Sequence, residues 1–222
     1  MNFLFCGYRD WSLDIVEDLE SRFKEDTFFI AKSRKQFAKY AKSNIEFDLV
    51  LFVGWSWIIK EKFLKNNNCI CIHPSPLPKY RGGSPIQNQI ISGEKYSKVT
   101  AFLMNDILDG GPIVSQSHDF SLDGNLSEVF KRVSSSSIFC LSDTIAKKKN
   151  GSLEEKEQSN DAGTFFKRRS PDQSEIHVDD FSKYTAKEIY DKIRCLQDPY
   201  PNAFIVCKDG KKIYLTKAHL DD

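Results

Sequence analysis

Two short stretches of the sequence hold residue types that can move a proton. In CICIHPSPLPKYRGGSPIQNQIISGE, residues 69–94, an apolar run ends at His73, and four prolines (Pro74, Pro76, Pro78, Pro85) and Gly82-Gly83 follow. Proline removes backbone freedom and glycine permits close approach, so this loop is rigid and shaped around something. In FLMNDILDGGPIVSQ, residues 102–116, Asp106 and Asp109 precede the turn Gly110-Gly111-Pro112 between two apolar runs. Each residue alone has an ordinary explanation: a histidine can simply cap a strand, and an aspartate before glycines is a turn former. One histidine and one aspartate at neighbouring strand ends together make a general acid/base pair. Strand carboxyl ends are also where open α/β sheets place ligand-binding groups.

The elements that must position this pair read clearly. NFLFC at 2–6, Phe28–Ile30, FDLVLFV at 47–53, Cys69–Ile72 and Ser97–Met104 are candidate strands. The run at 47–53 is apolar nearly throughout, as expected for a parallel strand covered on both faces. Between these strands, Ile15, Val16, Leu19 and Phe23 recur at helical spacing behind a cap at Ser12 or Asp14, and 34–43 reads as a basic helix. Strands alternating with helices through residue 110 predict an α/β fold with an open, mostly parallel sheet. The segment 126–149 has helical spacing and ends in lysines before Gly151, a helix C-terminus signal. Residues 1–150 therefore read as one domain and 151–163, polar and glycine-bounded, as a linker. Residues 164–222 read as a small C-terminal subdomain: a helix at 185–195, then runs at 203–207 and 212–216 joined by the hairpin turn Lys208-Asp209-Gly210-Lys211.

Composition narrows the function classes. With 222 residues, 32 Lys+Arg against 31 Asp+Glu and 40% hydrophobic residues, the chain reads as globular rather than disordered. A net charge of +1 lacks the basic footprint of a dedicated nucleic-acid binder. No apolar run approaches the roughly 18–20 residues of a membrane span, and the N-terminus lacks the basic flank of a signal peptide. The six cysteines show no metal-ligand spacing, and three lie in apolar runs. A cytoplasmic, reduced protein without a metal or a membrane partner is the expectation.

HPSPLPKYRGGSPIQ followed by LDGGPIVSQ resembles the formyltransferases that use 10-formyltetrahydrofolate. FVGWSWII at 52–59 is similar to the strand and turn lining that family's pterin pocket. TFFKRRSPDQSEI at 164–176 and IRCLQDPYPNAF at 193–204 look like the region beyond the catalytic domain in its tRNA and amino-sugar branches. The resemblance covers most of the chain. It implies a Rossmann-like fold, 10-formyltetrahydrofolate as co-substrate, and His73 and Asp109 as the catalytic histidine and aspartate. It also implies a pteridine slot formed by Trp57, Ile58 and the backbone of Asn105, Asp106 and Leu108. The asparagine that the family carries two residues before its histidine is replaced here by Cys71. A thiol is a weak donor to an oxyanion. Asn88, in the same loop region, is the candidate to supply the missing amide, and it reads equally as a helix-start residue after Pro85.

The acceptor follows by elimination among branches. The glycinamide ribonucleotide branch begins with a Gly-rich phosphate loop, where this chain has CGYRDWS. The methionyl-tRNA branch carries a basic C-terminal barrel, which the charge balance and the residues after the linker do not match. A nucleotide-linked amino sugar remains the expected partner, with Arg9, Lys79, Tyr80 and Arg81 as candidate binders of its diphosphate and base. A catalytically altered folate- or nucleotide-binding relative, and formylation of another amine such as an aminoacyl-tRNA, stay open. The C-terminal subdomain is expected to serve packing or homodimerisation rather than chemistry.

Overall fold

Nearly continuous apolar runs at the chain's strands demand cover on both faces, and alternate residues go to opposite sides of a sheet. The computed structural model describes residues 1–159 and 161–221. Asn160, inside the expected linker, and Asp222, at the end of the expected subdomain, lie outside the described residues. The first half alternates β1 (Asn2–Cys6), α1 (Asp10–Arg22), β2 (Thr27–Ala31), α2 (Arg34–Tyr40), β3 (Leu49–Val53), α3 (Glu61–Asn66) and β4 (Cys69–His73). Then come β5 (Arg81–Gly82), α4 (Pro85–Ile91), β6 (Tyr96–Ser97), β7 (Thr100–Leu103), β8 (Ile113–Gln116), β9 (Phe120–Ser121) and α5 (Leu126–Asn150). The C-terminal part holds β10 (Phe165–Phe166), a 3-10 turn at Pro171–Ser174, α6 (Asp180–Lys183), α7 (Ala186–Cys195), β11 (Ala203–Val206) and β12 (Lys212–Leu215).

The main sheet has six strands in the order β2-β1-β3-β4-β7-β8. The four strands from β2 to β4 run parallel, and β7 and β8 are antiparallel additions. This is the expected mixed α/β architecture. Phe3, Phe5, Leu49, Leu51 and Ile70 face α1 and α5, while Leu4, Cys6, Val50 and Phe52 join Phe37 of α2 and Phe63 of α3 on the other side. All six cysteines are unpaired.

Two local readings are corrected. The expected strand at 97–104 is broken into β6 and β7, because Ser97 pairs with β9 while Thr100 pairs with His73. Helix α1 starts at Asp10 behind Arg9, and Ser12 completes the cap by bonding the Arg9 carbonyl at 2.6 Å and the Arg9 amide at 3.1 Å. From the expected subdomain, Ile176, Ile189, Ile193, Leu196 and Ala203 are buried in the main cluster. Arg194 explains part of that docking, donating to the carbonyls of Leu122 (2.6 Å) and Gly124 (2.8 Å) while Asp191 holds its other edge at 2.6 Å. Among the described residues no helix is long and apolar enough to cross a membrane.

Candidate active site

His73 ends β4 in the middle of the sheet, opposite Thr100 of β7, and is 6% exposed. Its Nε2 lies 2.8 Å from the Tyr80 carbonyl oxygen. A carbonyl only accepts, so Nε2 carries a hydrogen and Nδ1 is the atom left for chemistry. Nδ1 faces Asp109 Oδ2 at 3.6 Å, and the Gly82 amide donates to that same oxygen at 2.8 Å. The two atoms are close enough for a proton to pass between them. Such a pair can take up, hold and return a proton. The backbone here is strained: Tyr80, Ser84 and Asp109 are non-glycine residues at φ 60°, 51° and 51°. Left-handed residues of this kind persist where surrounding contacts over-determine them, and they cluster at functional sites.

The pair opens onto a cavity of about 730 Å³ lined by the loop after β3, the His73 loop, the Asp109 turn and the C-terminal segment. That volume is in the range of small-molecule sites. Cys71 lines it two residues before His73. Burial pushes the Cys71 thiol well above its usual value, and the nearby Asp109 and Cys69 push it further. It therefore faces the cavity as a neutral S–H. Among the described residues no group of three His, Cys, Asp or Glu is placed to hold a metal ion.

The structure sorts the other sequence candidates. Arg9 and Leu108 line the cavity with His73 and Asp109. Asn88 does not: α4 turns its amide to the Gly83 carbonyl at 2.8 Å, where it braces the loop. Trp57 packs on Tyr8 (4.8 Å) and Trp55 (4.6 Å) outside the cavity, which Trp55 and Trp11 line. Ile58 is 99% exposed and outside it. Asn105 caps its own turn, accepting from the Ile107 amide at 2.9 Å, and neither it nor Asp106 lines the cavity. Lys79 is exposed, Tyr80 is buried with its hydroxyl on Glu94 at 2.9 Å, and Arg81 donates to Gln158 at 2.8 and 3.1 Å. None of the three lines the cavity. Direction along an extended loop cannot be read from spacing once left-handed residues reverse it.

Sequence reasoning missed the C-terminal wall. Strand β10 pairs in parallel with β5, which brings Phe165, Phe166, Lys167, Arg168 and Arg169 to the cavity, and Tyr200 closes its far side. Gln158, in the expected linker, reaches the site: its amide donates to the carbonyls of Asp109 (3.0 Å) and Gly111 (2.7 Å). The signal was Gly82-Gly83. An added Cβ at Gly82 would overlap the Phe166 carbonyl, and one at Gly83 the Arg168 backbone, so both glycines mark a close backbone crossing.

Comparisons with known proteins agree with this fold. The chain is 34% identical to methionyl-tRNA formyltransferase from Lysinibacillus sphaericus over 166 residues, 73% of this chain and 51% of that protein. It spans about half the length of the curated relatives it matches. The structure of methionyl-tRNA formyltransferase from Clostridium thermocellum superposes with a TM-score of 0.80 at 30% identity, covering 96% of each chain. A sugar N-formyltransferase from Shewanella sp. has the same fold, with a TM-score of 0.77 at 22% identity over 100% of this chain and 99% of that one. Residues 171–222 match the formyl transferase C-terminal domain. Because residues 18–137, the stretch that carries both His73 and Asp109, match the formyl transferase family itself, the chain belongs to that family.

Proposed function

We propose that this chain is an N-formyltransferase that moves a formyl group from 10-formyltetrahydrofolate to the amine of a nucleotide-linked amino sugar. The observation that carries the reading is the His73–Asp109 pair, whose Nδ1 and Oδ2 lie 3.6 Å apart in the lining of the cavity. Trp55 and Leu108 offer apolar walls for a folate ring, and the Trp55 Nε1 hydrogen is buried without a partner among the described residues. The acceptor amine attacks the formyl carbon as a neutral base; the new C–N bond opens the carbonyl to an oxyanion. Asp109 takes the proton released by the amine, and His73 Nδ1–H donates to the oxyanion. Collapse re-forms the carbonyl, breaks the bond to folate N10 and returns a proton to that nitrogen. Cys71 adds only a neutral, weakly donating thiol.

The sugar reading is supported by where the cations lie: Arg9, Arg168 and Arg169 line the cavity of a chain whose net charge is +1. Methionyl-tRNA is the second reading, favoured by the 34% identity to a methionyl-tRNA formyltransferase. The test is release of tetrahydrofolate when the protein meets 10-formyltetrahydrofolate and a panel of nucleotide-linked 3-amino and 4-amino sugars, with methionyl-tRNA alongside. Transfer to a sugar supports the first reading, and transfer to methionyl-tRNA alone replaces it with the second. No transfer to any amine overturns both.

A further inference from the structure

Helix α4 carries three consecutive buried amides, Gln87, Asn88 and Gln89. Asn88 donates to Gly83, and Gln89 donates to the carbonyls of Pro74 and Pro85 while accepting from Ser97. Gln87 differs. It is 3% exposed and lines the cavity, and its Nε2 has no hydrogen-bond partner among the described residues. Buried polar groups in native proteins are hydrogen-bonded, so an orphan donor facing a cavity asks for a ligand oxygen.

Its surroundings say which oxygen. Burial pushes the Tyr200 phenol up; the Arg9 and Arg168 cations pull against the shift, as does the Gln87 amide, which faces the hydroxyl without closing a hydrogen bond of ordinary geometry. The Arg9 guanidinium lies over the Tyr200 ring at 5.8 Å and the Tyr8 ring at 5.0 Å. Neither Arg9 nor Arg168 meets a carboxylate among the described residues, whereas Arg194 is paired with Asp191. Two uncompensated guanidinium groups and a buried N–H donor around one end of a cavity select an anionic oxygen.

We propose that the half of the cavity between α4 and the C-terminal segment is a phosphate subsite for the acceptor, in which Gln87 Nε2 is the buried donor and Arg9 and Arg168 supply the charge. This deepens the transfer reading above and rests on it for the acceptor's identity. The subsite joins the two halves of the chain, since Arg9 and Gln87 come from the first and Arg168 and Tyr200 from the second. The segment 164–222 therefore selects the substrate.

The experiment is calorimetric titration of the full chain with inorganic pyrophosphate and with UDP, in the absence of folate. Wild type is expected to bind both. Gln87→Leu is expected to weaken binding about tenfold, and Gln87→Glu and Arg168→Ala by at least as much. Affinity for a non-reactive folate analogue stays unchanged in each variant. The melting temperature of free Gln87→Leu is expected at or above that of wild type, because an unpaired buried donor is removed; a purely structural amide would lower it. Wild type that ignores both anions at millimolar concentration, or Gln87→Leu that binds like wild type or melts several degrees lower, overturns the proposal. Anion binding without any formyl transfer would leave this subsite standing and remove the transfer reading.

Discussion

Replacing Asp109 by Asn separates the charge of this residue from its place in the fold. The Asp109 backbone is left-handed at φ 51°, a conformation that Asn adopts readily and Ala does not. The Asn amide oxygen can still accept from the Gly82 amide, now 2.8 Å from Oδ2, so the loop keeps its anchor. What disappears is the negative charge 3.6 Å from His73 Nδ1. The proposed chemistry gives that carboxylate the amine's proton, which an amide cannot take, and losing a positioned general base costs roughly 10²–10⁴-fold. The middle of that range is about three orders of magnitude in turnover, or about 4 kcal/mol of barrier. The expected outcome is therefore roughly a thousandfold fall in formyl transfer, with melting temperature and folate-analogue affinity near those of wild type. The assay is steady-state tetrahydrofolate release by the purified variant, paired with a circular-dichroism melt. An Asp109→Asn protein that melts like wild type and turns over within about tenfold of it would refute the reasoning, since the carboxylate's contribution would then be at most about 1.4 kcal/mol.

Four further outcomes are expected. His73→Ala should lower transfer at least about a hundredfold without loss of fold, checked by the same paired assay. Asn88→Ala should remove one loop-bracing hydrogen bond, lowering stability by about 1 kcal/mol and the melting temperature by roughly 2–4 °C while turnover stays close to wild type. A collapse of turnover in a folded Asn88→Ala protein would instead put that amide in the chemistry. Gly83→Ala should push the Arg168 backbone away from the cavity, destabilising by about 1–3 kcal/mol and weakening anion binding, read by urea titration and calorimetry. Burial pushes the thiols of Cys69, Cys140 and Cys195 from 9.0 up to about 12. Above pH 9 the unfolded chain releases these protons and the folded chain does not, so stability is intact below pH 9 and falls as pH rises toward 12, by about 1.4 kcal/mol per thiol per unit. Urea midpoints at pH 8 and pH 10 check this, and Cys195→Ala should flatten the slope.

Much of the fold was legible in the chain because its signals are local. Alternation within NFLFC and LVLFV assigns each side chain to a sheet face without knowledge of the neighbours, and the structure places Phe3 and Leu4 on opposite sides accordingly. His73 and Asp109 were legible for a similar reason: each ends an apolar run before a turn stiffened by proline or glycine, and strand ends of one sheet meet at one edge. The direction of the remaining side chains was not legible. Asn88 and Gln87 are adjacent, and a helix rotates successive residues by about 100°, so the phase of α4 against the sheet sends one to Gly83 and the other to the cavity. Trp57 and Trp55 were read as sharing one side of an extended chain, yet the turn after β3 leaves only Trp55 on the cavity. The role of residues 165–169 and 200 was hidden most deeply. Their approach depends on β10 pairing with β5, 84 residues away in sequence, and only tertiary packing can bring Arg168 and Tyr200 beside Arg9. The sequence alone put His73 and Asp109 at neighbouring strand ends; the packing of the C-terminal segment onto Gly82 and Gly83 decided what surrounds them.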